Sequence, residues 1–156
     1  MYDVYDSSVW IWGLTEQAPE AVTLIEDVLD GDRYVAVSAY IHGEVMRAFD
    51  SSRTADTQAI KDAKNAFNVI IAKRHNVKFP DQDDVGQMNI FDVRNEQMVE
   101  LLARSWGIQP KDVPIIVFAD RYDEDTTVFT ADKPFSKFDP TDHGIEGIEL
   151  EYVPTP

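Results

Sequence analysis

The stretch Tyr2-Asp3-Val4-Tyr5-Asp6-Ser7-Ser8-Val9-Trp10-Ile11-Trp12 decides how the rest of the chain is read. Tyr2 to Tyr5 is a short run able to form a strand, and Asp6-Ser7-Ser8 supplies turn and N-cap chemistry ahead of the apolar segment Val9 to Trp12. Asp6 is thereby placed just past a first strand. Pro19 and Glu20 open a helix in which Val22, Ile25, Val28 and Leu29 recur at helical spacing, with Gly31 just beyond its end. Tyr34 to Ser38 is again β-rich, and Ala39 to Phe49 sets Ile41, Val45, Ala48 and Phe49 on one helical face. The chain therefore opens as strand, helix, strand, helix.

Further along, the spacing predicts a long helix from about Asp56 to Arg74, with Ile60, Ala63, Ala66, Phe67, Ile70 and Ile71 as its apolar side. Residues 76 to 91 read as irregular. Between Asp92 and Trp106, Val93, Met98, Leu101, Leu102 and Trp106 mark another helix, ended by Gly107. A helix starting near Asp112 carries Val113 to Ala119, apolar nearly all round and so buried, with Pro114 tolerated in its first turn. Thr126 to Thr130 reads as a buried strand and Ile148 to Val153 as a final, partly exposed one. Strands alternating with helices imply a mainly parallel sheet covered on both faces, an α/β fold.

At 156 residues and 44% hydrophobic content, the chain is long enough for a real core, and residues 1–156 are expected to form a single domain. It has no cysteine, which excludes disulfides, thiolate zinc sites and a thiol nucleophile and favours a reducing compartment. The amino terminus carries acids where a secretory signal carries bases, and the longest apolar run, Val113 to Ala119, is far too short to span a membrane. A cytoplasmic location is expected. The formal net charge is −15, with acids dispersed along the whole sequence. Two readings stay open: an ordinary acidic protein, or the surface of a protein from a halophilic archaeon, where self-repulsion is screened because the Debye length is only about 3 Å at 1 M salt. Either way, nucleic acid has no broad basic surface to bind, and any such site must be local.

Four acids stand out against this background. In open parallel sheets ligands bind outside the carboxyl ends of the strands, where Asp6 follows the first strand and Asp132 follows the Thr126 to Thr130 strand. Glu44, three residues after Ile41 and four before Ala48, shares the buried side of its helix near the second strand. Asp112 opens the apolar helix, with few basic neighbours in sequence to neutralise it. Each also has a local structural role open to it: a helix cap for Asp6 and Asp112, an Asx-turn for Asp132, a surface helix position for Glu44. Together they need an offsetting cation, and hard oxygen ligands suit Mg²⁺ or Mn²⁺. Such ions activate water and stabilise phosphoryl oxygens, so phosphodiester hydrolysis is the natural reaction. Asp120 is left out of the set, because eight residues of helical rise place it about 12 Å from Asp112.

The sequence resembles the PIN-domain ribonucleases, and in particular the VapC-type toxins of toxin–antitoxin pairs, over nearly its whole length. The resemblance rests on Asp6-Ser7-Ser8 after the first strand, on Glu44 in Gly43-Glu44-Val45-Met46, on Asp112-Val113-Pro114-Ile115-Ile116, and on Thr130-Ala131-Asp132-Lys133-Pro134-Phe135, which is similar to the family's T-x-D-x-x-F pattern. It implies a three-layer α/β/α sandwich with a mainly parallel sheet, and an endoribonuclease using Mg²⁺ or Mn²⁺ to hydrolyse single-stranded RNA. Asp6, Glu44, Asp112 and Asp132 would be its catalytic and metal-binding residues. It also implies a small antitoxin protein as partner, in a type II toxin–antitoxin system, and homodimerisation. A catalytically silent PIN-like protein-binding module and a housekeeping RNA-processing nuclease are the alternatives.

Other residues weigh less. Thr130 could bind substrate, although a Thr ending a strand commonly bonds backbone instead. Lys133 and Lys137 flank Asp132 and read as solvated surface. His42, His75 and His143 are scattered and lack metal-ligand spacing, and the serines have no His–Asp partners arranged for a triad. Asp81, Asp83, Gly86 and Asp92 fall at positions 1, 3, 6 and 12 of a calcium-binding loop, but Val85 at position 5 and the absence of Glu at position 12 break that pattern. Trp10, Trp12 and Trp106 read as core or interface anchors.

Overall fold

The computed structural model describes residues 2–52, 57–79, 93–121 and 125–156. Five parallel strands form one sheet in the order β3-β2-β1-β4-β5. They are β1 (Asp3–Tyr5), β2 (Val35–Ala36), β3 (Val77–Lys78), β4 (Thr126–Thr130) and β5 (Ile148–Tyr152). The helices are α1 (Ser7–Leu14), α2 (Pro19–Leu29), α3 (Ala39–Asp50), α4 (Thr57–Lys73), α5 (Val93–Trp106), α6 (Val113–Ala119) and the short α7 (Lys133–Ser136). Adjacent strand residues point to opposite faces, yet Val4 and Tyr5, like Val128 and Phe129, are all buried. Helices therefore cover both faces, the arrangement expected of an all-parallel sheet.

Several boundaries differ from the sequence reading for identifiable reasons. The apolar Val9 to Trp12 segment continues as α1, so two helices separate the first two strands. Val35 and Ala36 of the β-rich Tyr34 to Ser38 run form β2, flanked by bonds from Asp3 N–H to the Tyr34 carbonyl at 2.9 Å and from Val37 N–H to the Lys78 carbonyl at 2.8 Å, and Ser38 then turns away to cap α3, its hydroxyl accepting the Ile41 N–H at 3.0 Å. The region read as irregular from residue 76 contains β3, whose two residues pair with β2 in the register Val35↔Val77 and Ala36↔Lys78. Two residues are too few to show a period. Buried Asn76 holds this edge strand by donating to the Val28 and Arg33 carbonyls at 2.9 and 2.7 Å. The near-match to a calcium loop lies outside the described residues.

Helix α5 is where predicted, and Leu102 and Trp106 pack inward as expected, but the rest of its apolar face differs. Val99 and Ala103 are the buried pair, packed with Val113 in a small satellite core, whereas Met98 and Leu101 are exposed. Gly107, at φ 73°, ends the helix in the left-handed conformation that glycine adopts without strain, and its N–H reaches the Ala103 carbonyl at 2.9 Å. This turn delivers a short 3₁₀ segment, Pro110–Asp112, directly into α6.

The main core runs from Val4 to Val153 and centres on Tyr5, Trp10 and Phe67, whose rings lie 5.2 and 4.9 Å apart in succession. Tyr5 also donates its hydroxyl to the Leu24 carbonyl at 2.9 Å, tying β1 to α2. Trp12 and Trp106 pack partly buried against the same core. Gly13 permits the close crossing of α1 and α2, since a Cβ there would lie 2.5 Å from Ile25 Cγ1 and 2.8 Å from the Ala21 carbonyl oxygen. Gly13→Ala is therefore predicted to destabilise the fold by about 1–3 kcal/mol, the usual cost of overpacking. Urea unfolding of the variant against wild type measures this, and equal stability would mean that the two helices separate without cost.

Candidate active site

The strand order reverses between β1 and β4, and ligands of open parallel sheets bind in the crevice that such a reversal creates at the carboxyl edge. Asp6 leaves the end of β1 and Asp132 lies two residues past β4, one on each side of that crevice. Glu44 enters from the second turn of α3, and Asp112 from the 3₁₀ turn ahead of α6. All four sequence-predicted acids thus reach one region, and Asp6, Glu44 and Asp132 each act electrostatically on Asp112.

Asp6 is the most constrained. It is 5% exposed and starts α1 without capping it, its carboxylate turned instead to side-chain donors. The Thr130 hydroxyl donates to Oδ2 at 2.7 Å, Ser8 Oγ to the same oxygen at 3.3 Å, and Ser7 Oγ to Oδ1 at 3.3 Å. Thr130 is fully buried, and its oxygen also accepts the Asp132 N–H at 3.0 Å. It links two of the acids from beneath rather than presenting its hydroxyl to solvent. Ser8 works similarly, accepting the Ala131 N–H at 3.1 Å. Asp132 caps α7, accepting the Phe135 N–H on Oδ1 at 3.3 Å, so its turn-forming role is met while Oδ2 points elsewhere.

Burial, like charge and too few donors push protons onto this cluster. Desolvation raises the Asp6 pKa, against which the Thr130 and Ser7 hydrogen bonds work. Desolvation and then the Asp6 charge raise Glu44. The same two causes carry Asp112 up to about 7. Glu44 Oε1 is buried with no hydrogen-bond partner among the described residues, the state of an acceptor that lacks a donor or a cation. Four carboxylates supply only hard oxygen donors, which fit Mg²⁺ or Mn²⁺ in kind. Among the described residues, no three acidic or histidine side chains converge tightly enough to form a ready cage.

Three contributors were not singled out from sequence. Lys111 precedes Asp112 and places Nζ 3.7 Å from Asp132 Oδ2, so Asp112 does have a basic neighbour, whose charge lowers its pKa. Tyr40 donates its hydroxyl to the Lys111 carbonyl at 2.9 Å and lies close enough to Glu44, Asp112 and Asp6 for their charges to raise its pKa further, after desolvation. Ser8 was visible only as a hydroxyl following Asp6. The histidines hold structural places: His42 stacks on Phe67 at 5.5 Å, and His143 packs on Phe138 at 5.4 Å. Lys133 and Lys137 are exposed. A cleft of about 280 Å³ adjoins the acids, with Ile108, Gln109, Asp112, Asp132 and Pro134 in its wall. A larger hollow of about 410 Å³ around Arg33 and Phe129 has none of the four acids in its wall.

No protein-family model matches the chain, and no curated protein matches it. Among solved structures it is similar to the crystal structure of VapBC2 from Rickettsia felis bound to a DNA fragment from their promoter, with a TM-score of 0.56 and 12% identity over 97% of this chain and 98% of that one. The fold is PIN-like. A likeness at this identity speaks to the sheet order and helical layers, and the acids must be judged on their own placement. Among the described residues, no helix is long and apolar enough to cross a membrane.

The raised Asp112 pKa fixes the sign of a pH effect. A carboxyl that keeps its proton to about pH 7 when folded but loses it near its ordinary value of 3.8 when unfolded makes stability fall as pH rises through that window. Asp6 and Glu44 shift in the same direction. Asp112→Asn is predicted to flatten this slope and to raise the melting temperature in chelator at pH 8 by roughly 5 °C, on the scale of 2–4 °C per kcal/mol for a chain of this size. Thermal melts from pH 4 to 8 test it, and parallel curves for the two proteins would contradict the burial argument.

Proposed function

We propose that the chain is a metal-dependent endoribonuclease that hydrolyses phosphodiester bonds of single-stranded RNA, and that it serves as the toxin of a type II toxin–antitoxin pair. The observation that carries the reading is the arrival of Asp6, Glu44, Asp112 and Asp132 at the reversal point of a PIN-like sheet, where burial and then the charges of the other three acids raise the pKa of Asp112. The resemblance of the sequence to VapC-type toxins and the structural likeness to a VapBC2 complex both support it.

In this reading Asp6, Glu44, Asp112 and Asp132 hold Mg²⁺ or Mn²⁺, which when bound supplies Lewis-acid activation of water and stabilisation of phosphoryl oxygen charge. The chain supplies position. Thr130 and Ser8 fix the Asp6 carboxylate from below, and the Thr130 hydroxyl sets the backbone that carries Asp132. Thr130 is accordingly a positioning residue. The cleft beside Asp112 and Asp132 admits the RNA strand, with Gln109 and Pro134 at its wall. An antitoxin protein, a homodimer and a cytoplasmic setting complete the proposal.

One observation favours a second reading, a catalytically silent PIN-like binding module: the described acids do not form a ready cage. A housekeeping RNA-processing nuclease would share the chemistry and lack an antitoxin. Purified wild type is expected to cleave mixed single-stranded RNA with Mn²⁺ or Mg²⁺ and to stop in chelator. Asp6→Asn and Asp132→Asn are each expected to abolish cleavage while keeping the far-ultraviolet circular dichroism of wild type. Retained cleavage in the double variant would sink the nuclease assignment. Metal binding by a folded wild type without any cleavage would favour the binding module.

A further inference from the structure

Lys111 has a place that the proposed chemistry leaves unused. Its Nζ faces Asp132 Oδ2 at 3.7 Å, and its charge opposes the upward pKa shifts of Asp6, Glu44 and Asp112. One ammonium therefore addresses all four acids. At Glu44 it acts together with Arg47; at Asp6 and Asp112 it is the basic group that acts on the carboxylate. The backbone beneath it is fixed, because Lys111 sits in the Pro110–Asp112 turn and its carbonyl accepts the Tyr40 hydroxyl at 2.9 Å. The side chain above is not: it is 55% exposed, on a flexible four-carbon stem whose ammonium can move to water at little cost.

An ammonium and a divalent cation are both drawn to the same carboxylates and repel one another. We propose that Lys111 is the resident counter-cation of the acid cluster, pairing with Asp132, offsetting part of the negative charge of its neighbours and swinging away when a divalent ion binds, so that it sets the metal affinity of the site. This rests on the metal-dependent reading of those acids. A fixed backbone with a mobile charged tip suits such an exchange: the turn keeps Lys111 in reach, and the stem allows it to leave.

The full chain is compared as wild type, Lys111→Met, Lys111→Gln and Lys111→Arg, by calorimetric Mn²⁺ titration and by melting in chelator and in saturating Mn²⁺. The two uncharged variants are expected to bind Mn²⁺ about tenfold more tightly, as removing one like charge at a partly solvated site implies. They should melt several degrees lower in chelator and lose that deficit in saturating Mn²⁺. Lys111→Arg should follow wild type in both measurements. Unchanged or weaker Mn²⁺ binding in the uncharged variants overturns the proposal, as does a melting deficit that persists in Mn²⁺, which would make Lys111 a structural residue. A wild type that binds no Mn²⁺ overturns it as well. If wild type binds Mn²⁺ and cuts no RNA, the nuclease reading fails alone, and the affinity and melting comparisons still decide the role of Lys111.

Discussion

The hydrogen bond from Thr130 to Asp6, 2.7 Å long and wholly buried, is the joint on which the site depends. It crosses between the two central strands at the place where the strand order reverses, so it can form only when β1 and β4 are paired in register, Val4 to Val128 and Tyr5 to Phe129. A shift of one residue would carry Thr130 to the other face of the sheet and leave Asp6 desolvated without its best donor. The correct pairing is therefore enforced by a polar contact as well as by the apolar residues around it. The same contact fixes Asp132 through the backbone N–H that Thr130 accepts.

From that joint outward the site trades stability for charge. Hydrophobic packing assembles the carboxyl edge of the sheet, with Tyr5, Trp10 and Ile116 fully buried near it, and this burial is what desolvates Asp6 and Asp112. Burial and then the Asp6 charge raise the pKa of Glu44, and burial and then the charges of Asp6, Asp132 and Glu44 raise that of Asp112, which at neutral pH opposes folding. A chain selected only for stability would replace such groups with apolar residues of similar size. Their collection at one edge, with Glu44 Oε1 left without a partner, is the kind of local violation that marks a functional site in an otherwise consistent fold.

What the sequence disclosed, and what it hid, follow from the range of the interactions involved. β4 was legible at both ends because five consecutive β-prone residues are bounded by a turn, and α2 because Pro19 and the apolar spacing fix its start and face. β3 was illegible: two residues carry no period, and what makes them a strand is pairing with Val35 and Ala36 some forty residues away. The phase of α5 was legible only in part, at Leu102 and Trp106, because Met98 and Leu101 are as apolar as the residues that are buried; the arrival of Val113 against Val99 and Ala103 decides which side faces inward. At the site, the acids were readable through their positions after strands and on a helix face. Their neighbours were not. Lys111 adjoins Asp112 in sequence but reaches Asp132 across a fold that only the structure supplies, and Tyr40 meets the Lys111 carbonyl across 71 residues.

Under the proposed nuclease reading, a net charge of −15 and an RNA substrate are compatible only under particular physical conditions. A polyanion approaching this surface is repelled over a distance set by the Debye length, about 10 Å at 0.1 M salt and 3 Å at 1 M. Most nucleic-acid-binding proteins lose affinity as salt rises, because they gain it from releasing counterions at basic patches. Here the balance is different. Dispersed surface acids would oppose the encounter at low salt, and added salt weakens that opposition by shortening its range. If the chain acts on RNA as proposed, that engagement gains from moderate salt where its basic counterparts lose, and its selectivity must come from the few groups that line the cleft rather than from the charge of the surface as a whole.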